Sequence, residues 1–98
     1  MRVDWTRTAL ADLVAIHSYI ATDSPHYAVS VVNRLTARCS QIAAFPYAGE
    51  MVPEYQREDI REVIEYSYRM IYLVGEEQAW ILAVVHGAKP LPDSPPTQ

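Results

Sequence analysis

Residues 66–87 read YSYRMIYLVGEEQAWILAVVHG, and these residues are the strongest indication of the fold. Aromatic, β-branched and other apolar side chains dominate two runs, residues 66–74 and 79–87, on either side of the polar segment GEEQ. Two such runs around a glycine-containing turn predict an antiparallel β-hairpin. The hairpin also carries Arg69 inside one strand and His86 at the end of the other. A cation and a titratable ring are costly to bury in an apolar sheet, so both residues are candidates for a site.

Two helices are predicted between a short first strand and the rest of the chain. Residues 2–5 alternate polar and apolar side chains, as a short strand does. Apolar side chains then recur at helical spacing over residues 8–21, and again in a second stripe that ends before Pro46. Ser24 and Pro25 start the second helix, because serine caps helix N-termini and proline suits the first helical position. The short connection predicts an antiparallel helical hairpin.

The remaining segments complete an α+β fold. Residues 47–58 predict a loop and residues 60–66 a strand, which continues into the hairpin as a meander. The expected order is strand-helix-helix-strand-strand-strand, with the helical hairpin packed on one face of a four-stranded, mostly antiparallel sheet. Two helices cover one face only, so the other is expected to be at least partly open and to carry the function. The single domain spans residues 1–88, and the four prolines in residues 89–98 predict an extended, mobile tail.

Composition limits the classes of function. The chain has 98 residues, half of them apolar, and a formal net charge of −4, which is poorly suited to holding a phosphate backbone by net field. Its single cysteine excludes an internal disulfide framework and favours a reducing compartment. No segment approaches the roughly 20 apolar residues of a membrane span. No ligand spacing suits a metal and no glycine-rich loop suits a phosphate. A cytoplasmic protein with no cofactor, no metal and no membrane contact is expected.

Two arginines are candidates for chemistry, and each has a structural alternative. Arg69 is either a fixed guanidinium fork on the open face, able to take a phosphate or carboxylate, or the partner of a preceding glutamate. Arg61 opens the first strand of the meander and either joins the site or pairs with Glu58, Glu62 or Glu65. Strand alternation assigns a face to Arg69 only if no bulge intervenes.

His86 is the third candidate. By alternation along its strand it shares a face with Trp80, Leu82 and Val84. One interpretation is a hydrogen-bonded structural residue. The other is a general acid or base, because the ordinary pKa of histidine lies near neutrality.

Several short motifs, in order along the chain, carry a family resemblance. They are Trp5 with the first helix stripe, Tyr19-Ile20, Ser24-Pro25 with Ala28, Phe45-Pro46 with Gly49, Arg61, Tyr68-Arg69-Met70-Ile71-Tyr72 and Val85-His86-Gly87. Together they resemble the RelE/ParE superfamily of type II toxin–antitoxin toxins over residues 3–89. The order of elements predicted above is that of the family fold. The Ser-Pro and Phe-Pro-x-x-Gly motifs are closer to the ParE, or plasmid stabilisation, branch.

The resemblance implies a cognate antitoxin and one of two activities. ParE-like members are not enzymes and poison DNA gyrase. RelE-like members cleave mRNA on the ribosome without a metal, holding the phosphate with basic residues and using an acid–base residue. Arg61, Arg69 and His86 match the catalytic positions that this second activity implies.

The chain departs from the nuclease pattern in its charges. The loop before Arg61 has no lysine, the sole lysine is Lys89, and the net charge is negative. The resemblance and the charge therefore favour a gyrase-directed toxin that inhibits growth and is bound in a toxin–antitoxin hetero-oligomer. A ribosome-dependent endonuclease is the alternative, and an inactive member that only binds antitoxin is the second alternative.

Overall fold

The computed structural model describes residues 1–96, and within them two helices pack on one five-stranded sheet. The elements are β1 (Arg2–Trp5), α1 (Arg7–Ala21), α2 (Pro25–Ala44), β2 (Glu50–Met51), β3 (Ile60–Glu65), β4 (Tyr68–Val74) and β5 (Gln78–His86). The strand order is β1-β5-β4-β3-β2. β1 runs parallel to β5, and the other neighbouring strands are antiparallel. The predicted α+β class and element order are confirmed.

The strand count differs from the prediction by β2. This two-residue strand lies in the segment predicted to be a loop and pairs with β3 at Glu50↔Glu62 and Met51↔Arg61. Two residues are too few for an alternating pattern, so the pairing depends on tertiary contacts rather than on local sequence.

Side-chain caps begin both helices. The Thr6 hydroxyl accepts a hydrogen bond from the Ala9 N–H at 3.1 Å, and the Ser24 hydroxyl accepts one from the Tyr27 N–H at 3.2 Å. Each cap satisfies an amide that has no partner within its helix, and Pro25 at the start of α2 needs none. The predicted start of the second helix is therefore confirmed.

The sheet buries apolar side chains on both faces. The helix face is the one covered by α1 and α2, where Leu35 packs with Met70, Tyr72 and Ile81. The outer face is the opposite one, and its buried cluster is Val52, Ile60, Ile71 and Leu82. The loop between β2 and β3 supplies Tyr55 to this outer cluster, and the C-terminal segment supplies Leu91. The outer face is therefore partly covered by irregular chain.

A β-bulge in β5 changes which residues share a face. Ile71 is opposite Ala83 but Tyr72 is opposite Ile81, so Leu82 is the extra residue. As a result Trp80 and Leu82 contribute to the outer cluster, whereas Val84 belongs to the helix-face cluster. The prediction that one face carries all three of these side chains together with His86 is wrong, because simple alternation does not pass through a bulge.

Residues 89–96 form neither helix nor strand and lie along the outer face. The Tyr55 hydroxyl donates a hydrogen bond to the Pro92 carbonyl at 2.9 Å. The last two residues of the predicted tail, 97 and 98, lie outside the described residues. Within residues 1–96, no helix is both long enough and apolar enough to span a bilayer.

Candidate functional site

Arg69 lies on the outer face between two carboxylates, and the three side chains form what we call the Arg69 cluster. The guanidinium donates to both carboxylate oxygens of Glu54, at 2.7 and 2.8 Å. It also donates to both oxygens of Glu62, at 2.6 and 3.2 Å. Only 11% of the Arg69 side chain is exposed. Of the two interpretations of Arg69 made from the sequence, the structure therefore shows the second, in which Arg69 pairs with preceding glutamates.

The electrostatics of the Arg69 cluster follow from this geometry. Hydrogen bonds from the guanidinium hold the pKa of Glu54 at about 2, far below its ordinary value. The same bonds to Glu54, and those to Glu62, raise the pKa of Arg69 above its ordinary value. One cation therefore lies between two anions, and the cluster carries a net negative charge. An incoming phosphate would have to displace a carboxylate from the guanidinium.

Arg61 lies on the helix face of β3, opposite Tyr72. Its guanidinium donates to the Glu58 carbonyl at 2.7 Å and to the Gly49 carbonyl at 3.3 Å. The guanidinium carbon also lies 5.3 Å from the centre of the Tyr47 ring, in cation–π range. Arg61 thus links β3 to both ends of the segment that contains β2, at Gly49 and at Glu58. Among the described residues its hydrogen-bond acceptors are backbone carbonyls, not the carboxylates predicted from the sequence.

His86 ends β5 on the side of α1. Its ring meets the Tyr68 ring edge to face, with centres 5.9 Å apart. Its Nδ1 accepts a hydrogen bond from the Ala88 N–H at 3.2 Å, which leaves Nε2 to carry the proton of the neutral ring. A cavity of about 420 Å³ adjoins the ring, and Asp12, Tyr19 and other α1 residues line its far side.

Three polar residues of this cavity were not predicted as site residues from the sequence, namely Asp12, Tyr19 and Lys89. The Asp12 carboxylate accepts the Val84 N–H at 3.0 Å, and burial raises its pKa. One signal was available in the sequence: Asp12 is an acid within the otherwise apolar run from residue 9 to residue 16. The cavity therefore places an imidazole near a carboxylate, an amine and phenols.

The three predicted site residues do not meet at one point. Arg69 lies on the outer face, whereas Arg61 and His86 lie on the helix face. On that face Arg61 is opposite Tyr72 and His86 is opposite Tyr68, so they are four β4 residues apart, about 13 Å along the strand. Among residues 1–96 there is also no group of three or more His, Cys, Asp or Glu side chains able to hold a metal ion.

Other arginines are also paired with acids of the chain itself. Arg34 and Arg38 lie 3.9 and 3.6 Å from the Glu65 carboxylate. Arg57 makes a two-point contact with Asp59 at 3.0 and 2.8 Å. The acidic side chains of residues 50–65 therefore pair with, and neutralise, many of the arginines that a nucleic-acid-binding surface would need.

Comparison with known proteins gives a consistent result. Residues 3–91 match the family described as the ParE toxin of the type II toxin–antitoxin system parDE. A curated relative from Caulobacter vibrioides named Toxin RelE2 is 33% identical over 88 residues, covering 90% of this chain and 97% of the relative. A solved structure titled "Chromosomal ParDE TA system from P. aeruginosa" superposes with a TM-score of 0.71 at 22% identity, covering 88% of this chain and 95% of that one. The chain therefore belongs to the ParE toxin family of type II toxin–antitoxin systems, within the RelE/ParE superfamily.

Proposed function

We propose that this toxin inhibits growth by poisoning DNA gyrase in the cytoplasm, and that it acts in a plasmid-stabilisation type of module. The Arg69 cluster is the observation that carries this proposal. An endonuclease of this superfamily needs cations that are available to the scissile phosphate, but Glu54 and Glu62 already occupy the guanidinium from two sides. Binding to a protein target does not require an arginine that is available to a phosphate. The Arg69 cluster, in which both carboxylates are bound to the guanidinium, is therefore compatible with a toxin that acts by binding a protein.

The free-energy cost of separating Arg69 from Glu62 favours the paired arrangement of the Arg69 cluster. The Arg69 and Glu62 side chains are 11% and 10% exposed, so separating them leaves two poorly solvated charges. Breaking such a pair costs about 3–5 kcal/mol, and a phosphate would have to repay this before it gained any affinity. The net charge of −4 adds repulsion toward RNA. Arg69 is thus a poor candidate for a phosphate ligand.

Membership of the family implies a cognate antitoxin, and two surfaces support the mode of binding that we propose for it. Leu10 and Val14 lie one turn apart on α1 and are 49% and 65% exposed, which suits an amphipathic helix of a partner. β1 forms one edge of the sheet, where a partner strand can add by main-chain hydrogen bonds. We propose that the antitoxin uses both surfaces and silences the toxin in a hetero-oligomer.

Induced expression in bacteria tests the proposed target, with DNA supercoiling and transcript integrity measured in the same cultures. The gyrase proposal predicts loss of supercoiling and induction of a DNA-damage response, with transcripts intact. It also predicts that His86→Ala arrests growth as the parent chain does. His17→Ala is the matched control, because His17 is a histidine of α1 outside the cavity beside His86. Normal supercoiling in arrested cells would overturn the proposal.

A ribosome-dependent mRNA endonuclease is the second candidate, and the cavity beside His86 is the observation that favours it. Its imidazole, the Lys89 amine and the phenols of Tyr19 and Tyr68 are groups that general acid–base catalysis can use. This candidate predicts ribosome-dependent cleavage of transcripts that is lost in His86→Ala and kept in His17→Ala. Expression without any growth defect would instead indicate a member that only binds its antitoxin.

A further inference from the structure

The C-terminal segment covers an apolar groove on the outer face. Ile60, Leu73, Trp80 and Leu82 line a cavity of about 390 Å³, and Pro95 and Pro96 form part of its wall. Earlier in the segment, Leu91 packs against the outer-face cluster. The segment thus touches the outer face at both ends, although it forms no strand or helix there.

Tyr55 holds the middle of the segment through the backbone. Its hydroxyl donates to the Pro92 carbonyl at 2.9 Å and lies 3.5 Å from the Ser94 carbonyl. The ordinary pKa of tyrosine, about 10, already keeps the hydroxyl protonated at neutral pH, and burial raises the pKa of Tyr55 further. The neighbouring Glu54 accepts two hydrogen bonds from Arg69, and these bonds hold in place the turn that carries Tyr55.

These contacts have the chemistry of polyproline recognition. The described part of the tail reads KPLPDSPP from residue 89 to residue 96, and proline-rich segments favour an extended conformation whose carbonyls have no internal partner. Grooves that bind such segments combine aromatic and apolar walls with a donor to a peptide carbonyl. Here Trp80 supplies the aromatic wall and Tyr55 supplies the donor.

We propose that the outer face is a binding groove for an extended, proline-rich peptide, and that residues 91–96 of the same chain occupy it. The tail is then an intramolecular competitor for any segment of similar chemistry. Tethering favours this occupant, because a short linker gives an effective concentration in the millimolar range. The link is short: a turn closed by the Lys89 N–H and the His86 carbonyl, 2.9 Å apart, leads from β5 directly into the segment. The proposal does not depend on the cellular target.

The test uses the full-length chain in a Trp5→Phe background, so that Trp80 is the only tryptophan. A released-tail variant carries Leu91→Ser, Pro95→Ser and Pro96→Ser. These substitutions remove the apolar contacts of the tail with the outer face and leave the sequence of residues 1–88 as it is in the parent. We expect the Trp80 emission of this variant to shift to longer wavelength than that of the parent. A synthetic peptide of residues 89–96 should restore the parent emission in the released-tail variant, and should leave the parent itself unaffected.

A second full-length variant tests the hydrogen bond. Tyr55→Phe in the released-tail background should weaken binding of the peptide about fivefold, the loss expected for one neutral hydrogen bond. Tyr47→Phe is the matched control, because Tyr47 is an exposed tyrosine that does not line the groove. The proposal is overturned if the released-tail variant keeps the parent emission, if the peptide fails to bind it, or if the peptide binds parent and variant equally.

Discussion

Replacing Arg69 by methionine removes the cation from between two carboxylates and keeps much of the aliphatic length of the side chain. Glu62, with 10% of its side chain exposed, then becomes a buried charge without its partner, which costs about 3–5 kcal/mol. Glu54 is 43% exposed, so its bonds to the guanidinium contribute only about 0.2–1 kcal/mol. We expect Arg69→Met to lower the free energy of unfolding by about 3–6 kcal/mol. With a urea m value of about 1.5 kcal/mol per M, the midpoint falls by about 2–4 M.

Urea unfolding followed by tryptophan fluorescence measures this loss, and two variants divide it between the carboxylates. Glu54→Gln should lose about 1 kcal/mol or less, because that carboxylate remains largely in water. The double variant Arg69→Met with Glu62→Leu should be more stable than Arg69→Met alone, because it leaves no uncompensated buried charge. An Arg69→Met chain with the urea midpoint of the parent would refute a structural role for the cluster, and so would a double variant less stable than the single one.

Three further predictions concern the loop around β2 and the pH dependence of stability. Gly49→Ala should lower the free energy of unfolding by about 2 kcal/mol in the same assay, because a Cβ at this position would collide with the Tyr72 hydroxyl. Tyr72→Phe should lose about 1 kcal/mol, because it removes the 2.6 Å hydrogen bond from that hydroxyl to the Pro46 carbonyl; a melting temperature equal to that of the parent would contradict this. The pKa of Glu54 falls from 4.5 to about 2 on folding, so its stabilising contribution is full above about pH 4.5 and is lost as the pH falls toward 2. The difference in unfolding free energy between the parent and Glu54→Gln should therefore shrink over that interval, and a difference constant with pH would exclude this linkage.

The fold was largely predictable because its elements are encoded locally. The hairpin strands are rich in aromatic and β-branched side chains, and Ser24-Pro25 marks the start of a helix by capping chemistry. The parts that were not predictable depend on distant partners. β2 exists only through its pairing with β3. The packing of the tail on the outer face needs Trp80 and also Tyr55, whose partner Pro92 is 37 residues away in sequence.

The candidate site was predictable by residue type but not by arrangement. Alternation along β4 places Arg69 on the same face as Ile71 and Leu73, and the outer face does carry these two apolar side chains. The partner Glu54 lies in a loop 15 residues away in sequence, and no local pattern brings it to the guanidinium. The face of His86 depends on the bulge at Leu82, which has no glycine or other local signal.

We propose that this ParE family toxin acts on gyrase and not on RNA. Supercoiling of relaxed plasmid by purified gyrase, titrated with the purified chain, tests that claim most directly. We expect supercoiling to be abolished at saturating toxin, equally by the parent and by His86→Ala, and to be restored by the antitoxin. Undiminished supercoiling at saturating toxin, together with cleavage of mRNA only when ribosomes are present and only by chains that keep His86, would contradict it.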